Sequence, residues 1–137
     1  MRLCARRDCE AYKSERNDRQ YAKEHEWAIF EDDGSCRVGI SFYAQKELGN
    51  LVFANLPEVG DTVTAGTPFA DVESIKTVSD VYSPVTGVVK EINEALLDSP
   101  ELINEDPYNA WFAVIENVTD KCELLSAEEY DAYVETI

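Results

Sequence analysis

Short apolar segments separated by turn residues run through this sequence from Trp27 onward, and they constrain its fold more than any other feature. "WAIF" and "CRVGIS" flank a "DDG" turn, and Cys36, Val38 and Ile40 alternate within the second segment. Alternation with a period of two is typical of a half-buried strand, so the two segments predict a β-hairpin. Further short strands are predicted in "LVFANLPEVGDTVTAGTPFADVES", "VYSPVTGVVKEI" and "AWFAVIE". The pattern predicts a mainly β domain, a sandwich or a small barrel.

Two segments interrupt the strand pattern and predict short helices. "FYAQKELGN" is typical of a helix that ends at Gly49, because glycine readily adopts the backbone conformation that follows a helix. Ser126 and Glu129 have the S-x-x-E spacing of a capping box, with Leu125 and Tyr130 placed to pack across it. We therefore expect a C-terminal helix at about 126–135.

The length of 137 residues suits one domain with a substantial core. Residues 1–20 are charged, mixed in sign and without apolar periodicity, so we expect a mobile extension there and a single domain over 21–137. Four acidic residues in the extension argue against an organelle transit peptide. The sequence has no run of about 18 apolar residues, so we predict no membrane span.

The charge distribution excludes one class of partner and draws attention to the lysines. Twelve basic residues stand against 28 acidic ones, which gives a net charge of −16 and argues against binding to a phosphate backbone. Basic protein partners are favoured instead. Seven of the basic residues lie in 1–23, so the remaining chain has only five: Arg37, Lys46, Lys76, Lys90 and Lys121.

The residues that most often perform catalysis or bind metals form no recognisable set. The four cysteines lack zinc-type spacing and His25 is the only histidine, so we expect reduced thiols and no metal site. Cys36 is interpreted as a buried apolar side chain and His25 as a structural one. No Ser/His/Asp set, Cys/His pair or phosphate-binding loop points to an independent enzyme.

Lys76 lies between two short β-branched runs in "DVESIKTVSDVYSPVTG". With Ile75 and Lys76 as the centre of a turn, Glu73 faces Val78, Asp71 faces Asp80, Ala70 faces Val81 and Phe69 faces Tyr82. Lys76 would then lie at a hairpin tip, although the turn lacks the Asn-Gly or Asp-Gly of tight hairpins. On these residues alone, an ordinary solvated lysine is the default interpretation.

A resemblance changes that interpretation. Six segments, in order over nearly everything from Tyr21 onward, resemble the glycine cleavage system H proteins: "YAKEHEW", "VGISFYAQKELGNLVF", "LPEVGDTVTAG", "VESIKTVSDVYSPVTG", "INEALLDSPELINEDPY" and "LLSAEEY". The resemblance implies a lipoyl/biotinyl-type barrel-sandwich hybrid of two antiparallel sheets. It implies that Lys76 carries lipoic acid in amide linkage. An exposed primary amine on a flexible stem suits acylation by an enzyme that must reach it.

The resemblance also implies a carrier that is not itself an enzyme. In this family the lipoyl arm accepts an aminomethyl group from a pyridoxal-phosphate glycine decarboxylase (P protein). A tetrahydrofolate-dependent aminomethyltransferase (T protein) takes the one-carbon unit, and dihydrolipoamide dehydrogenase (L protein) reoxidises the dithiol. Lipoate-attaching enzymes are further partners, and a monomer is expected. Glu26 and Asp80 match family positions lining the cleft where the loaded arm docks.

Three points stay open from the sequence. A biotin carrier domain also presents a hairpin lysine but has methionine on both sides of it, whereas Ile75 and Thr77 flank Lys76. A non-acylated interaction protein of the same fold is the other alternative. The expected location is a bacterial cytoplasm, with the mitochondrial matrix as the alternative.

Overall fold

The computed structural model describes residues 19–136. The predicted extension therefore falls outside the described residues, except for Arg19 and Gln20, which were wrongly placed in it. Gln20 begins the first strand, and the Arg19 guanidinium lies 4.4 Å from the centre of the Trp27 ring and donates to the Tyr108 carbonyl at 2.6 Å. The contacts of the Arg19 side chain join it to residues elsewhere in the sequence, and apolar periodicity does not reveal such contacts.

Within residues 19–136 the chain forms nine strands and four short helices. The strands are β1 (Gln20–Tyr21), β2 (Glu26–Phe30), β3 (Cys36–Ile40), β4 (Leu51–Asn55), β5 (Thr62–Val63), β6 (Pro68–Ser74), β7 (Val78–Tyr82), β8 (Val85–Ile92) and β9 (Ala113–Lys121). The helices are α1 (Phe42–Leu48), α2 (Ala95–Asp98), α3 (Leu102–Glu105) and α4 (Ala127–Glu135). None of these helices is long and apolar enough to cross a membrane.

The strands form two antiparallel sheets. The larger has the order β1-β2-β3-β9-β8-β5, and the smaller has the order β4-β6-β7. The predicted hairpin is β2 and β3, with Ala28 opposite Val38. The predicted fold class, mainly β with two antiparallel sheets and a few short helices, is confirmed.

The last strand differs from its prediction in position. "AWFAVIE" predicts a strand from Ala110, but β9 begins at Ala113 and continues through the polar residues up to Lys121. Phe112 is fully buried in the core beside the smaller sheet, which explains the apolar character of the residues before the strand. The polar end of β9 stays extended because it pairs with β8 as far as Lys121 opposite Val85.

Three clusters of buried side chains hold the sheets and helices together. One lies under the smaller sheet and is built on Leu51, Val72 and Phe112, and a second lies against the larger sheet around Val38 and Ile115. The third is aromatic, formed by Tyr21, Trp27, Tyr108, Ala127 and Tyr130, and it fixes α4 against β1 and β2. Burial of these side chains is the main source of stability, at about 25 cal/mol per Å² of apolar surface.

The helix ends agree with the sequence predictions. The Ser41 side chain accepts from the Ala44 amide at the start of α1, and Gly49 ends the helix with φ of 86°. At α4, Ser126 and Glu129 form the reciprocal pair of bonds of a capping box. The helix runs over Ala127–Glu135, within the predicted range.

Candidate functional site

The hairpin of β6 and β7 presents Lys76 at its tip. Three predicted cross-strand pairs are confirmed, which are Glu73 with Val78, Asp71 with Asp80, and Ala70 with Val81. The fourth is wrong because Tyr82 lies opposite Pro68, with the register shifting between Pro68 and Ala70. An irregularity of one residue leaves Phe69 without the predicted partner and does not affect the tip.

Ser74, the last residue of β6, stabilises the turn, which lacks the glycine or asparagine usual in tight hairpins. Its hydroxyl oxygen accepts from the amides of Lys76 and Thr77, both at 3.2 Å, while its own amide donates to the Thr77 carbonyl at 2.8 Å. A serine side chain that binds nearby amides mimics part of a backbone turn. The role of Ser74 in the turn was not predicted, although a serine two residues before the tip is the sequence feature that could have indicated it.

The Lys76 side chain is exposed and forms no ion pair within the described part of the chain. Its Cε lies close to the end of α1, since a Cβ added to Gly49 would sit 3.4 Å from it. Gly49 has a positive φ, so any other residue there would be strained. The loop that follows α1 thus lies beside the lysine stem, and the side chain of Lys76 stays exposed.

Asn104 holds the loop between α1 and β4 in place beside Lys76. Its side-chain amide donates to the Gly49 carbonyl and to Gln45 Oε1, both at 2.9 Å. Its oxygen accepts from the Leu51 amide at 2.8 Å. A single side chain on α3 thus binds both sides of the loop, a role that sequence analysis missed because it depends on contacts across the fold.

Glu26, the first residue of β2, is buried, with 3% of its surface exposed. Its carboxyl oxygen accepts from the Tyr82 amide at 3.2 Å, which links β2 to the end of β7. Burial disfavours the ionised form and raises the pKa of Glu26 to about 8, although the Tyr82 bond opposes this shift. Near neutral pH the group is therefore mostly a carboxylic acid.

A hydrogen-bonded network fixes the residue before Glu26. His25 has a positive φ of 80°, and its Nδ1 lies 2.8 Å from the Tyr130 hydroxyl, which in turn lies 2.7 Å from Ser41 Oγ. The His25 carbonyl also accepts from the Ser41 amide at 2.9 Å. Burial lowers the pKa of His25, so its neutral form is favoured, as suits a structural histidine.

Asp80 is exposed on β7 and lies two residues from Tyr82, where Glu26 meets the strand. It faces Asp71 across the hairpin, and Asp71 accepts a hydrogen bond from Asn55 at 2.7 Å. The structure thus places Asp80 on β7, the strand that follows Lys76, and places Glu26 on β2 against the far end of that strand. Their surroundings differ, because one carboxyl is buried and the other is solvated.

The thiols of Cys36 and Cys122 differ in position, since Cys36 lies in the core and the Cys122 sulfur lies 3.9 Å from the carbonyl oxygen of Ser83, next to Tyr82. Cys36 is fully buried in the core of the larger sheet, where burial raises its pKa to about 12. The thiol therefore stays protonated and packs as an apolar side chain. Cys122 is partly buried, and burial raises the pKa of its thiol too. Residues 19–136 contain no group of three or more His, Cys, Asp or Glu side chains able to hold a metal ion.

Comparisons with known proteins agree with this geometry. The family model for the glycine cleavage H-protein matches residues 19–137. The chain is 60% identical over 114 residues to the glycine cleavage system H protein of Lachnoclostridium phytofermentans, a match that covers 83% of this chain and 90% of that protein. It is 53% identical over 120 residues to the probable glycine cleavage system H protein of Pyrococcus horikoshii, covering 85% and 90% respectively.

A solved structure shows the same fold. The crystal structure of a glycine cleavage system H protein from Mycobacterium marinum superposes with a TM-score of 0.83 at 44% identity, and covers 87% of this chain and 98% of that one. The match of the family model extends over almost all of the folded chain. The chain is therefore a member of the glycine cleavage H-protein family, whose members are carrier subunits and not enzymes.

Proposed function

We propose that Lys76 carries lipoic acid in amide linkage, and that the chain thereby carries the aminomethyl group of glycine between enzymes. The donor is the pyridoxal-phosphate glycine decarboxylase, and the acceptor is the tetrahydrofolate-dependent aminomethyltransferase. Dihydrolipoamide dehydrogenase restores the oxidised carrier. The observation that supports this assignment is an exposed lysine, without an ion pair among residues 19–136, at the tip of a two-stranded hairpin in a member of this family.

The residues around Lys76 fit a long attached group. The side chain of Lys76 passes beside Gly49 and is exposed, and its neighbour Ile75 is 79% exposed. The turn itself is fixed by Ser74, so the point of attachment is rigid while the stem stays mobile. When attached, the lipoyl group supplies a dithiolane whose sulfur accepts the one-carbon unit.

The proposal includes a docking place for the cargo amine near Glu26 and Asp80. An ammonium group favours an ionised carboxylate beside it, so its arrival lowers the pKa of Glu26 from about 8 and releases a proton. Asp80 adds a solvated carboxylate two residues before the Tyr82 amide that Glu26 binds. The neutral, unloaded arm gains nothing from these charges, so docking depends on the cargo.

The docking place predicts a change in the lifetime of the loaded carrier. The double variant Glu26→Gln with Asp80→Asn should lose its cargo severalfold faster than wild type without the transferase, since one charge-assisted contact contributes roughly 1 kcal/mol. The measurement is the decay rate of the isolated loaded protein. Glu91→Gln with Asp98→Asn makes the same chemical changes at exposed positions elsewhere and serves as the control. Equal decay in wild type and the docking variant would assign protection of the cargo to other residues.

Reconstitution tests the proposed function directly. With glycine decarboxylase, lipoate-loaded wild type should support exchange of labelled bicarbonate into the carboxyl group of glycine. Lys76→Arg keeps the charge but offers no acylatable amine, so it should support none. Circular dichroism of both proteins controls for folding. Exchange supported by Lys76→Arg would refute the assignment of Lys76.

No specific observation favours the two alternative functions, a biotin carrier domain and a non-acylated interaction protein of the same fold. A biotin carrier would have methionine on both sides of the lysine, and Ile75 and Thr77 stand there instead. A non-acylated interaction protein would not need an accessible amine beside a glycine. Our proposal places the carrier in a bacterial cytoplasm, since the relatives described above are bacterial and archaeal.

A further inference from the structure

The connection between β1 and β2 has a histidine at a position that usually belongs to glycine. Residues 23–25 form this connection, and two backbone bonds close it. The Ala22 amide donates to the Glu26 carbonyl at 2.8 Å, and the His25 amide donates to the Ala22 carbonyl at 2.9 Å. A three-residue hairpin connection commonly ends in a residue of the left-handed region, and His25 is that residue, with φ of 80°. A residue with a Cβ costs free energy in this conformation, so the contacts of His25 must compensate for it.

The start of α1 and the helix α4 hold His25 in this conformation. Its Nδ1 lies 2.8 Å from the Tyr130 hydroxyl on α4, and its ring centre lies 4.7 Å from that of Tyr43 on α1. The Tyr130 hydroxyl lies 2.7 Å from Ser41 Oγ, and the Ser41 amide donates to the His25 carbonyl at 2.9 Å. The ring and the backbone of His25 are therefore fixed together, and a change in its φ would break both sets of contacts.

The conformation of His25 determines how the next residue, Glu26, enters β2. Consecutive side chains of a strand point to opposite faces, so the backbone before the strand sets the direction of its first side chain. The buried Glu26 carboxyl meets the Tyr82 amide at 3.2 Å. This bond joins β2 of the larger sheet to β7 of the smaller sheet. Its geometry therefore depends on how β2 begins, and strand pairing alone does not fix it.

From these contacts we propose that His25 is a positioning residue for Glu26. Its ring holds the connection in the left-handed conformation that directs the Glu26 carboxyl to the Tyr82 amide, where the amine of the cargo docks. The inference rests on the proposed function, because the docking place at Glu26 is part of it. It adds a residue that acts on the docked arm through the backbone of its neighbour.

Two variants remove the ring and still permit the left-handed conformation. Glycine and asparagine both adopt positive φ readily, so His25→Gly and His25→Asn should keep the connection while losing the imidazole that meets Tyr130. Asn117 offers a matched control, because it is exposed on β9 and also has a positive φ, of 54°. Asn117→Gly thus changes the same backbone property away from Glu26. Thermal unfolding should show that all three variants are folded.

The first measurement uses the unmodified full chain and does not depend on the cargo. Amide hydrogen exchange at Tyr82 reports its bond to the Glu26 carboxyl. Both His25 variants should exchange about fivefold faster than wild type at Tyr82, the factor that corresponds to one hydrogen bond, and Asn117→Gly should not. Val38, in the middle of β3, reports general loosening. Unchanged exchange at Tyr82, or an equal rise at Val38, would show that His25 does not position Glu26.

The second measurement is the decay rate of the carrier after loading with glycine by glycine decarboxylase, without the transferase. His25→Gly should lose its cargo about fivefold faster than wild type. In a Glu26→Gln background the same change should have no further effect, because His25 acts through Glu26. An equal effect of His25→Gly in both backgrounds would overturn the inference. If wild type cannot be lipoylated or loaded, the proposed function fails, and exchange at Tyr82 still decides whether His25 positions Glu26.

Discussion

Glu26 is the residue whose environment departs furthest from what its type suggests. Glutamate is almost never fully buried without a partner cation, yet this carboxyl is 3% exposed and is bound by one backbone amide. Its raised pKa makes its contribution to stability depend on pH. Below about 4.5 both the folded and the unfolded chain hold the proton, so no penalty arises.

As the pH rises from about 4.5 to about 8, the unfolded chain loses this proton while the folded protein keeps it. The free energy of unfolding therefore falls through this window, by at most about 1.4 kcal/mol per pH unit. Glu26→Gln keeps an oxygen that can accept from Tyr82, so it should match wild type near pH 4 and be more stable near pH 8. Urea unfolding at both values measures the difference. Glu91→Gln is the exposed control, and a Glu26→Gln effect independent of pH would contradict the raised pKa.

Single residues were predictable where a local pattern determines them. The register of the hairpin placed Lys76 at the tip, because alternation and a two-residue turn suffice for that. The proposed role of Lys76 rests on resemblance, since a solvated lysine has no local signature. The burial of Glu26 and the turn bonds of Ser74 could not be predicted, because both depend on where distant strands meet.

At the scale of elements, the loop between α1 and β4 depends on one side chain from α3. Asn104 satisfies the Gly49 carbonyl, the Leu51 amide and Gln45, so its removal leaves several polar groups without partners. The end of α1 at Gly49 and the capping box of α4 were predictable from the sequence, whereas the Ser41 cap of α1 was not predicted. The contacts of Asn104 were not predictable, because no spacing rule joins residue 104 to residues 49 and 51.

Asn104→Ala should therefore destabilise the protein by about 1–3 kcal/mol, the cost of leaving buried polar groups unpaired. Amide hydrogen exchange should show faster exchange at Leu51. Asn109→Ala is a matched control, since Asn109 is exposed and its side chain forms one hydrogen bond, to Asp106. If the two variants lose equal stability, Asn104 does not hold the loop in the way described.

At the scale of the whole molecule, the fold class followed from short alternating segments, and the arrangement of the two sheets did not. Pairing of β3 with β9 joins strands far apart in the sequence, so local patterns carry no signal for it. The predicted boundary between the extension and the domain, before Tyr21, lies two residues too far along the chain. Arg19 already contacts Trp27 and Tyr108, and local patterns do not reveal these contacts.

The proposed carrier function depends on one covalent bond, between Lys76 and lipoic acid, and intact mass with peptide mapping detects that bond. Wild type and Lys76→Arg are produced side by side in cells supplied with lipoate and biotin. Wild type should gain the mass of one lipoyl group, mapped to Lys76, and Lys76→Arg should gain nothing. A lipoyl group on Lys76→Arg, a biotinyl addition, or an unmodified wild type would contradict the proposed function.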